Sequence, residues 1–511
     1  MSVRLEFDTI YPDSLFALGA PIGRPIGLSV PRPRDSDTVT MSVLSRRQLL
    51  AASAATVAVG ATPVGAAQVP SEVDIAIIGA GAAGIAAARR LATTRARFVV
   101  LEASGRMGGR CFTDTETFGM PYDRGAHWIH QPDLNPVTPL AVRSGFDIYP
   151  APPGQRVRTG RRYAREGEME DYLTALVRGN RAISESGRGR ADPPAAQTLA
   201  KDLGDWQRTI EFVLGPFACG KDLGDVSAAD LARSTERDND TFCRQGLGAL
   251  MAKLGEGLPI QLSNPASRIE WGGGPRAGVD IDTAQGRLSA RAAIVTVSTG
   301  LLASDKLKFA PELPKRQLDA IEKLKPGSYD HIALELPGNP LALQRDEMAF
   351  EKSESGRTAA ILANVSGSAL CMIIVAGKFG RDLSAMGDRA MISFALDWLT
   401  GLYGADIKRT VKRTHATQWN NDPWTLGAFS AAAPGGQWAR AALVEPLRDR
   451  IFFAGEATHE TLWGTVGGAW ASGERAADLA LKRLGFVVEL QEPKRPPPAP
   501  AAPQRRRPGT G

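Results

Sequence analysis

A continuous apolar run, Val73–Ile78, is followed at once by the glycine-rich segment Gly79–Gly84 and then by the alanine-rich segment Ile85–Leu91. This order predicts a strand, a tight turn and a helix. A second apolar run, Phe98–Leu101, ends at Glu102. Two apolar runs with a helix between them predict a βαβ unit.

The glycine-rich turn has the G-x-G-x-x-G spacing of a dinucleotide-binding site. Gly79 permits the turn, Gly81 lets the backbone approach a pyrophosphate, and Gly84 allows the helix to pack closely on the strand. The helix N-terminus, at Ala83, supplies free N–H groups and a positive dipole end for phosphate. Glu102 stands 18 residues after Gly84, where a carboxylate accepts hydrogen bonds from an adenosine ribose. This context predicts an α/β fold with a Rossmann-type cofactor domain.

The segment directly after Glu102 contains Arg106, Gly108, Gly109 and Arg110, and its resemblance to a known family favours FAD over NAD. It resembles the R-x-G-G-R stretch of the flavin-containing amine oxidase family, which includes polyamine oxidases and lysine-specific histone demethylases. The resemblance implies that this segment wraps the FAD phosphates and ribityl chain. The two glycines allow close backbone approach, and the two arginines offer forked donors to an anion.

The resemblance continues from about residue 71 to residue 487. Asp123–His130 is similar to the family's G-A-x-W-I-H stretch beneath the flavin ring, and Asn264–Ile269 to its second adenine-side strand. Ala293–Leu302 matches the family's T-V-P-x-G-x-L, with Ser298 in place of the usual proline. The cofactor contacts that these stretches imply are Gly125, Ala126, His127, Trp128 and Ala266.

Two stretches near the end of the chain, Phe453–His459 and Gly464–Gly473, are close to the family's F-A-G-E-A-T-H…G-T-V-x-G-A-x-x-S-G. By resemblance, Gly455 and Glu456 bind the pyrophosphate and ribityl region. The backbone of Val466, at a helix N-terminus, would face the pyrimidine side of the flavin. A helix dipole there would stabilise the negative charge of the reduced flavin.

Two positions are expected to form walls in front of the flavin. Trp419–Ser430 matches the family's W-x-x-D-P-W…G-x-Y-S run and places Phe429 at one wall, where a ring holds an amine by its π face. Thr465 falls at the opposite wall, and Trp463 is a further candidate ring. Ala428 occupies the position of the flavin-linking cysteine of monoamine oxidases, so noncovalent FAD is expected.

One position departs from the family. Pro326–Leu334 aligns with its G-x-x-N-K-V stretch, whose lysine holds a water near flavin N5 and assists the reaction with oxygen, and His331 stands in place of that lysine. A largely neutral imidazole supplies less positive charge for developing superoxide. An electron acceptor other than oxygen is therefore an alternative, and a core histidine without a catalytic part is the other interpretation.

The resemblance implies an FAD-dependent amine oxidoreductase. The amine α carbon transfers hydride to the flavin, which gives an imine, and oxygen reoxidises the flavin with release of hydrogen peroxide. An L-amino-acid oxidase is one alternative, which needs an arginine such as Arg143, Arg156 or Arg158 for the substrate carboxylate. An amine dehydrogenase with another acceptor and a non-catalytic FAD-binding accessory protein are the remaining alternatives.

The family's layout divides the chain into interleaved domains. Residues 71–150, 240–300 and 421–487 would form the FAD-binding domain, and residues 151–239 and 301–420 an α+β substrate domain. Within the latter, the abundance of Arg, Gly and Glu in Arg156–Leu199 predicts poorly packed helix and loop, with a lid as one interpretation.

The distribution of charge and the spacing of the cysteines limit which partners and ligands we expect. The formal net charge is +6, but residues 490–511 carry five basic residues against one acidic residue. The core is nearly neutral, so no nucleic-acid partner is expected, and the Pro-rich tail is expected to be disordered. The four cysteines lack C-x-x-C spacing and the five histidines form no cluster, so no metal site is expected and buried free thiols are favoured.

Ser45–Leu50 contains twin arginines and precedes an alanine-rich stretch. It resembles a twin-arginine export signal, with residues 41–67 as the signal peptide, residues 1–40 as a leader without such a pattern, and Met41 as the expected start. The expected location is the periplasm, and the expected partners are the twin-arginine translocation machinery, a small amine and oxygen. No run of 18 apolar residues follows, so no stable membrane span is expected.

Overall fold

The computed structural model describes residues 71–234, 239–274 and 278–487. The predicted leader, export signal and C-terminal tail lie outside these residues.

The strands within the described residues are β1 (Glu72–Ile78), β2 (Phe98–Leu101), β3 (Thr113–Asp114), β4 (Tyr122–Asp123), β5 (Trp128–His130), β6 (Ile148–Pro150), β7 (Arg156–Thr159), β8 (Arg162–Tyr163), β9 (Asp240–Cys243), β10 (Ile260–Gln261), β11 (Ala266–Glu270), β12 (Val279–Thr283), β13 (Gly286–Val295), β14 (Lys308–Ala310), β15 (Tyr329–Glu335), β16 (Glu347–Glu351), β17 (Ala360–Ala363), β18 (Leu370–Ala376), β19 (Thr414–Ala416) and β20 (Ile451–Phe453). The α-helices in the same part of the chain are α1 (Ala82–Leu91), α2 (Val137–Arg143), α3 (Glu166–Gly187), α4 (Gln207–Phe212), α5 (Ala228–Arg233), α6 (Leu247–Gly255), α7 (Thr299–Leu302), α8 (Lys315–Lys323), α9 (Gly377–Ala385), α10 (Asp388–Tyr403), α11 (Ile407–Thr410), α12 (Ala439–Val444) and α13 (Val466–Leu484).

The first sheet has the strand order β10-β2-β1-β13-β12-β11-β14, and β20 pairs with β13. β1 lies parallel to β2 and β13, and β20 lies parallel to β13, so the carboxyl ends of these four strands meet at one edge. Ile75 and Ile77 pack into one core, and Val73 and Ile78 pack into another. Burial on both faces explains why the run Val73–Ile78 is continuously apolar rather than alternating.

Helices α1 and α13 pack together beside this sheet. A Cβ atom at Gly473 of α13 would lie 2.0 Å from the carbonyl oxygen of Ala83 in α1. Only glycine permits this approach of the two backbones. The small alanine side chains of α1 allow the two helices to stay close along the rest of their contact. The early and late segments of the sequence are thereby joined at the turn that follows β1.

The second sheet has the order β19-β15-β18-β17-β16-β7-β8. All of its strands come from the two predicted substrate segments. In its centre β15 and β18 run antiparallel, with His331 opposite Ile374. The side chains of α9 and α10 complete the core on one of its faces.

The first sheet extends beyond the predicted domain boundary at residue 300. β14 is parallel to β11 in that sheet, although it lies in the predicted substrate segment 301–420. The buried side chains of Leu307, Leu313 and Ile321 belong to the core of the first sheet. Through these apolar residues, the chain from residue 301 to the end of α8 packs with the first sheet rather than with the second.

Helix α3 is packed, so the prediction of poorly packed helix and loop was wrong. Its buried residues, Tyr172, Ala175, Gly179 and Ile183, recur every three or four positions and therefore share one face. Tyr172, Ala175 and Ile183 belong to a separate apolar cluster that contains Trp206, whose ring lies 5.4 Å from that of Tyr172. The many Arg and Glu residues that suggested poor packing occupy the remaining faces.

No helix among the described residues combines the length and apolar character needed to cross a bilayer.

Candidate active site

A cavity of about 370 Å³ lies where the carboxyl edge of the first sheet meets the second sheet. Ile78, Leu101, Thr296 and Gly455 end or closely follow β1, β2, β13 and β20, and all four line the cavity. His331 of β15 lines it from the second sheet. Open parallel sheets bind their ligands at this edge.

The predicted cofactor residues converge on this cavity. Those that line it are Gly79, Gly81, Ala83, Glu102, Arg106, Gly108, Gly109, Arg110, Gly125, Ala126, His127, Trp128, Ala266, Gly455, Glu456, Thr465 and Val466. Gly84 does not line it. A Cβ atom at Gly84 would lie 1.9 Å from the carbonyl oxygen of Gly79, so this glycine lets the helix start directly against the turn.

Two glycine-containing segments, Gly79–Gly81 and Gly108–Gly109, lie side by side in the cavity lining. Gly79 has a φ of +106°, which glycine adopts without strain. Gly81 and Gly108 form a parallel bridge, and the Gly108 N–H donates to the Ala80 carbonyl at 2.8 Å. The nearest atoms to a Cβ at Gly81 would be 4.0 Å away, so the backbone there is open to a ligand.

The carboxylate of Glu102 is fixed by three donors. Its Oε2 accepts from the Ala80 N–H at 2.7 Å, and its Oε1 accepts from the backbone N–H and the hydroxyl of Ser104 at 2.8 and 2.7 Å. An ionised carboxylate has about four acceptor positions, so one remains for a ribose hydroxyl.

The two cavity arginines differ in their partners. Arg110 donates to Glu456 Oε1 at 2.9 Å and to the Ala428 carbonyl, so its charge is largely compensated. Arg106 stacks on the Phe112 ring at 4.2 Å and makes no ion pair within the described chain. Arg106 is therefore the cation better placed to meet a phosphate.

Helix α13 begins at the cavity. The Thr465 hydroxyl accepts from the Gly468 N–H at 2.9 Å and donates to the Leu462 carbonyl at 2.7 Å, which caps the helix. Val466, the first helical residue, lines the cavity. The positive end of a 19-residue helix therefore faces the position expected for the flavin ring.

An aromatic wall lines the side formed by the second sheet. The rings of Tyr329 and Phe429 lie 5.5 Å apart, and those of Phe217 and Tyr329 lie 6.4 Å apart. Trp128 also lines the cavity. Trp463, the further candidate ring, does not: it is 1% exposed and stacks on the Arg440 guanidinium at 4.7 Å.

Sequence reasoning did not identify Tyr329 or Phe217. Tyr329 precedes His331 by two residues on β15, and residues two apart share a face of a strand, so a signal for it existed. Phe217 ends a π-helical turn, Val213–Phe217, which contains Pro216. No sequence period identifies that turn, although such turns are frequent at functional sites.

The imidazole of His331 is buried and neutral. Its Nδ1 lies 3.3 Å from the Asp123 carbonyl, while His127 Nδ1 lies 3.0 Å from the Asp123 carboxylate. The Asp123 carbonyl can only accept, so the proton of the neutral His331 ring is on Nδ1, which leaves its Nε2 as an acceptor without a partner among the described residues. Burial lowers the pKa of His331 to about 4, and His127 adds to this shift.

A carboxylate stands in the same cavity. His130 Nδ1 lies 2.7 Å from Asp240 Oδ1, and both residues line the cavity from the paired strands β5 and β9. No Lys or Arg of the described chain forms an ion pair with Asp240. Sequence reasoning did not select Asp240.

The arginines considered for a substrate carboxylate lie elsewhere. Arg156 pairs with Glu347 at 2.7 Å, Arg158 donates to the Leu402 carbonyl, and Arg143 is in the last turn of α2. None of the three lines the cavity, and neither does any other residue of Arg156–Leu199. The lid interpretation therefore has no support.

All four cysteines are free and buried, as favoured from the sequence. Cys111 lines the cavity, and burial raises its pKa to about 12, so it remains a thiol. Within the described part of the chain, no group of three or more His, Cys, Asp and Glu residues could hold a metal ion.

The donors of the cavity fit FAD. The glycine turn and Arg106 suit phosphate, Glu102 suits a ribose, and the N-terminus of α13 suits an electron-rich ring. A mixed sheet whose strands β2, β1, β13 and β20 run parallel, with this site at their carboxyl edge, defines a dinucleotide-binding protein. The model of the flavin containing amine oxidoreductase family matches residues 82–481, and the chain belongs to that family. FAD is its cofactor.

Similar proteins share most of this chain. Lysine-specific histone demethylase 2 from Homo sapiens is 28% identical over 454 residues, which cover 79% of this chain and 53% of the demethylase. The chain thus spans about half the length of that relative. Polyamine oxidase 4 from Oryza sativa subsp. japonica is 25% identical over 449 residues, which cover 82% of this chain and 90% of the oxidase.

Solved structures show the same fold. Cyclohexylamine oxidase from Brevibacterium oxydans IH-35A matches with a TM-score of 0.67 at 21% identity, over 81% of this chain and 99% of that one. Wild-type putrescine oxidase bound to putrescine matches with a TM-score of 0.67 at 18% identity, over 80% and 98% of the two chains.

Proposed function

We propose that this chain is an FAD-dependent amine oxidase. The observation that carries the proposal is that one cavity is lined both by the cofactor residues and by the aromatic wall of Tyr329 and Phe429. Bound FAD would supply a hydride acceptor in this cavity, so that a neutral amine which loses hydride from its α carbon becomes an iminium ion, which water hydrolyses.

The residues of the chain bind and orient the amine. The rings of Tyr329 and Phe429 offer π faces to the nitrogen, and with Phe217 they exclude water from the reacting carbon. The Asp240 carboxylate attracts a cationic amine into the cavity. His331 Nε2, which is an acceptor, takes a hydrogen bond from a water or from the amine N–H.

The substrate class that we propose is a primary, secondary or polyamine. Names of the similar proteins, polyamine oxidase and putrescine oxidase, support this class. The cavity also disfavours an α-amino acid, because its lining arginines are Arg106 and Arg110, which both lie in the cofactor segment. A substrate carboxylate would lack the forked partner that it needs.

A second candidate is an amine dehydrogenase that uses an acceptor other than oxygen. The neutral state of His331, in place of the family's lysine, favours it. A positive charge near the reduced flavin is what stabilises developing superoxide.

The decisive experiment is anaerobic reduction of the FAD-loaded protein, followed in a stopped-flow instrument, with a panel of amines and amino acids. Bleaching of the flavin band by an amine, followed by rapid recovery with peroxide in oxygen, would support the oxidase. Bleaching with slow recovery would support the dehydrogenase. Reduction by amino acids alone would contradict the amine proposal, and no bleaching by any compound would favour a non-catalytic flavoprotein.

We also propose export through the twin-arginine route to the periplasm. The motif Ser45-Arg46-Arg47-Gln48-Leu49-Leu50 supports it, and such a route suits a protein that carries its cofactor. Replacement of Arg46 and Arg47 by lysine should leave the protein inside the cell, as measured by cell fractionation. Unchanged fractionation of the double variant would contradict export by this route.

A further inference from the structure

Arg440 and Asp230 form an ion pair that is almost fully buried. Arg440 Nε donates to Asp230 Oδ1 at 2.7 Å and Nη2 donates to Oδ2 at 2.7 Å, in a two-pronged arrangement. Each residue is 1% exposed. Asp230 lies on α5 and Arg440 on α12, 210 residues later, so the pair joins one predicted substrate segment to the last cofactor segment.

The third nitrogen of the Arg440 guanidinium, Nη1, is connected to the cofactor residue Glu456 through Ser430. Arg440 Nη1 donates to the Ser430 hydroxyl at 3.1 Å, and that hydroxyl lies 2.8 Å from Glu456 Oε2. A guanidinium only donates, so Ser430 must accept from Arg440 and give its own proton to Glu456. The Ser430 N–H also donates to Glu456 Oε1 at 3.1 Å.

Ser430 therefore connects two walls of the cavity. Glu456, which it holds with two hydrogen bonds, lines the cofactor side together with its partner Arg110. Phe429, the residue before Ser430, lines the aromatic wall. Any shift of Ser430 moves a cofactor contact and an amine contact together.

We propose that Arg440 and Asp230 are positioning residues that couple FAD affinity to the placement of Phe429. Asp230 orients Arg440, Arg440 fixes the direction of the Ser430 hydroxyl, and Ser430 sets Glu456 and Phe429. Truncating one partner of a buried, hydrogen-bonded charge pair is strongly destabilising, so loss of Arg440 alone would also lower stability. The test must separate these two effects.

The first measurement is the affinity of the apoprotein for FAD, from flavin fluorescence, with melting temperatures recorded in parallel. Arg440→Met should weaken FAD binding at least tenfold and lower the melting temperature. The double variant Asp230→Asn with Arg440→Met carries no unpaired buried charge and should recover most of the melting temperature. Its FAD affinity should stay low, because Ser430 still lacks its donor.

Two further variants complete the test. Arg440→Lys keeps the charge but loses the two-pronged geometry, and it should fold with weakened FAD binding. Arg450→Met is the matched control, because Arg450 is also buried and bonds the carbonyls of Trp271 and Gly273 without lining the cavity. It should lower the melting temperature and leave FAD affinity unchanged.

If the ion pair contributed only to stability, the variants would change the melting temperature but not the FAD affinity. FAD affinity within twofold of wild type in Arg440→Met and Arg440→Lys, or full recovery of affinity in the double variant, would overturn the proposal. In a second arm, the amine concentration for half-maximal flavin reduction should rise in Arg440→Lys. That arm rests on the proposed function, whereas the FAD arm does not, so their failures are distinguishable.

Discussion

The rings of Tyr329 and Phe429 lie 5.5 Å apart at an angle of 49° and line the cavity from two segments that are 100 residues apart in sequence. Together they form the wall that Phe429 alone was predicted to supply. Thr465, the predicted opposite wall, also lines the cavity, and its hydroxyl caps α13.

Replacing Phe429 by leucine keeps most of the volume and removes the π face. The amine concentration for half-maximal flavin reduction should rise roughly two- to thirtyfold, which corresponds to a cation–π contact of about 0.5–2 kcal/mol. The control is Phe309→Leu, because Phe309 packs on Phe453 away from the cavity. An equal effect of both substitutions would contradict a binding role for Phe429.

His331→Lys should speed the reaction of the reduced flavin with oxygen. A lysine restores the positive charge that a neutral imidazole lacks, and we expect at least a tenfold increase in the second-order rate constant at pH 7. The measurement uses photoreduced protein, so it requires no substrate. His331→Gln also has a neutral side chain, so its rate constant for the reaction with oxygen should equal that of the wild type. A rate increase in this variant would indicate that easier entry of oxygen, and not positive charge, speeds the reaction.

Asp330 and His331 should give opposite pH dependences of stability. Burial raises the pKa of Asp330 to about 6 and lowers the pKa of His331 to about 4. As the pH falls from about 6.5 to 4, the unfolded state protonates the histidine first, and stability is lost. As the pH falls from about 6 to 3.8, the folded state protonates the aspartic acid first, and stability is gained. Each effect amounts to about 3 kcal/mol, so they nearly cancel.

Single variants should expose these two contributions. His331→Gln should gain stability relative to wild type as the pH is lowered from 7.5 to 4.5, and Asp330→Asn should lose it. Urea unfolding of each variant at a series of pH values measures this. Parallel pH profiles for wild type and both variants would show that neither group is titrating as described.

Gly84→Ala should destabilise the protein by at least about 2 kcal/mol and impair FAD binding, because the new Cβ would overlap the Gly79 carbonyl. Gly401→Ala is the matched control. Gly401 lies in α10 with no atom within 4 Å of an added Cβ, so alanine there should stabilise slightly, by about 0.5–1 kcal/mol. Thermal unfolding and FAD titration of both variants provide the comparison.

The cofactor side was predictable because its signals are local. The turn Gly79–Gly84, the acid at Glu102 and the stretch Gly455–Val466 each carry their chemistry within a few residues, and each contributes residues to the cavity lining. Gly84 does not line the cavity and instead supports the turn. The substrate side depends on contacts between distant segments. Asp230 and Arg440, or Phe217 and Tyr329, meet only through tertiary packing, which leaves no period in the sequence.

The contact between Ala83 and Gly473 has a consequence for the order of events in biosynthesis. A chain that emerges from the ribosome presents its phosphate turn early, but the strand β20 and the helix α13 that complete the same site are made only after all strands of the second sheet. FAD can therefore be captured tightly only after translation has passed residue 473. Until then the edge of β13 and the side of α1 that α13 covers lack their partners, and uncovered strand edges and apolar faces are surfaces that promote aggregation.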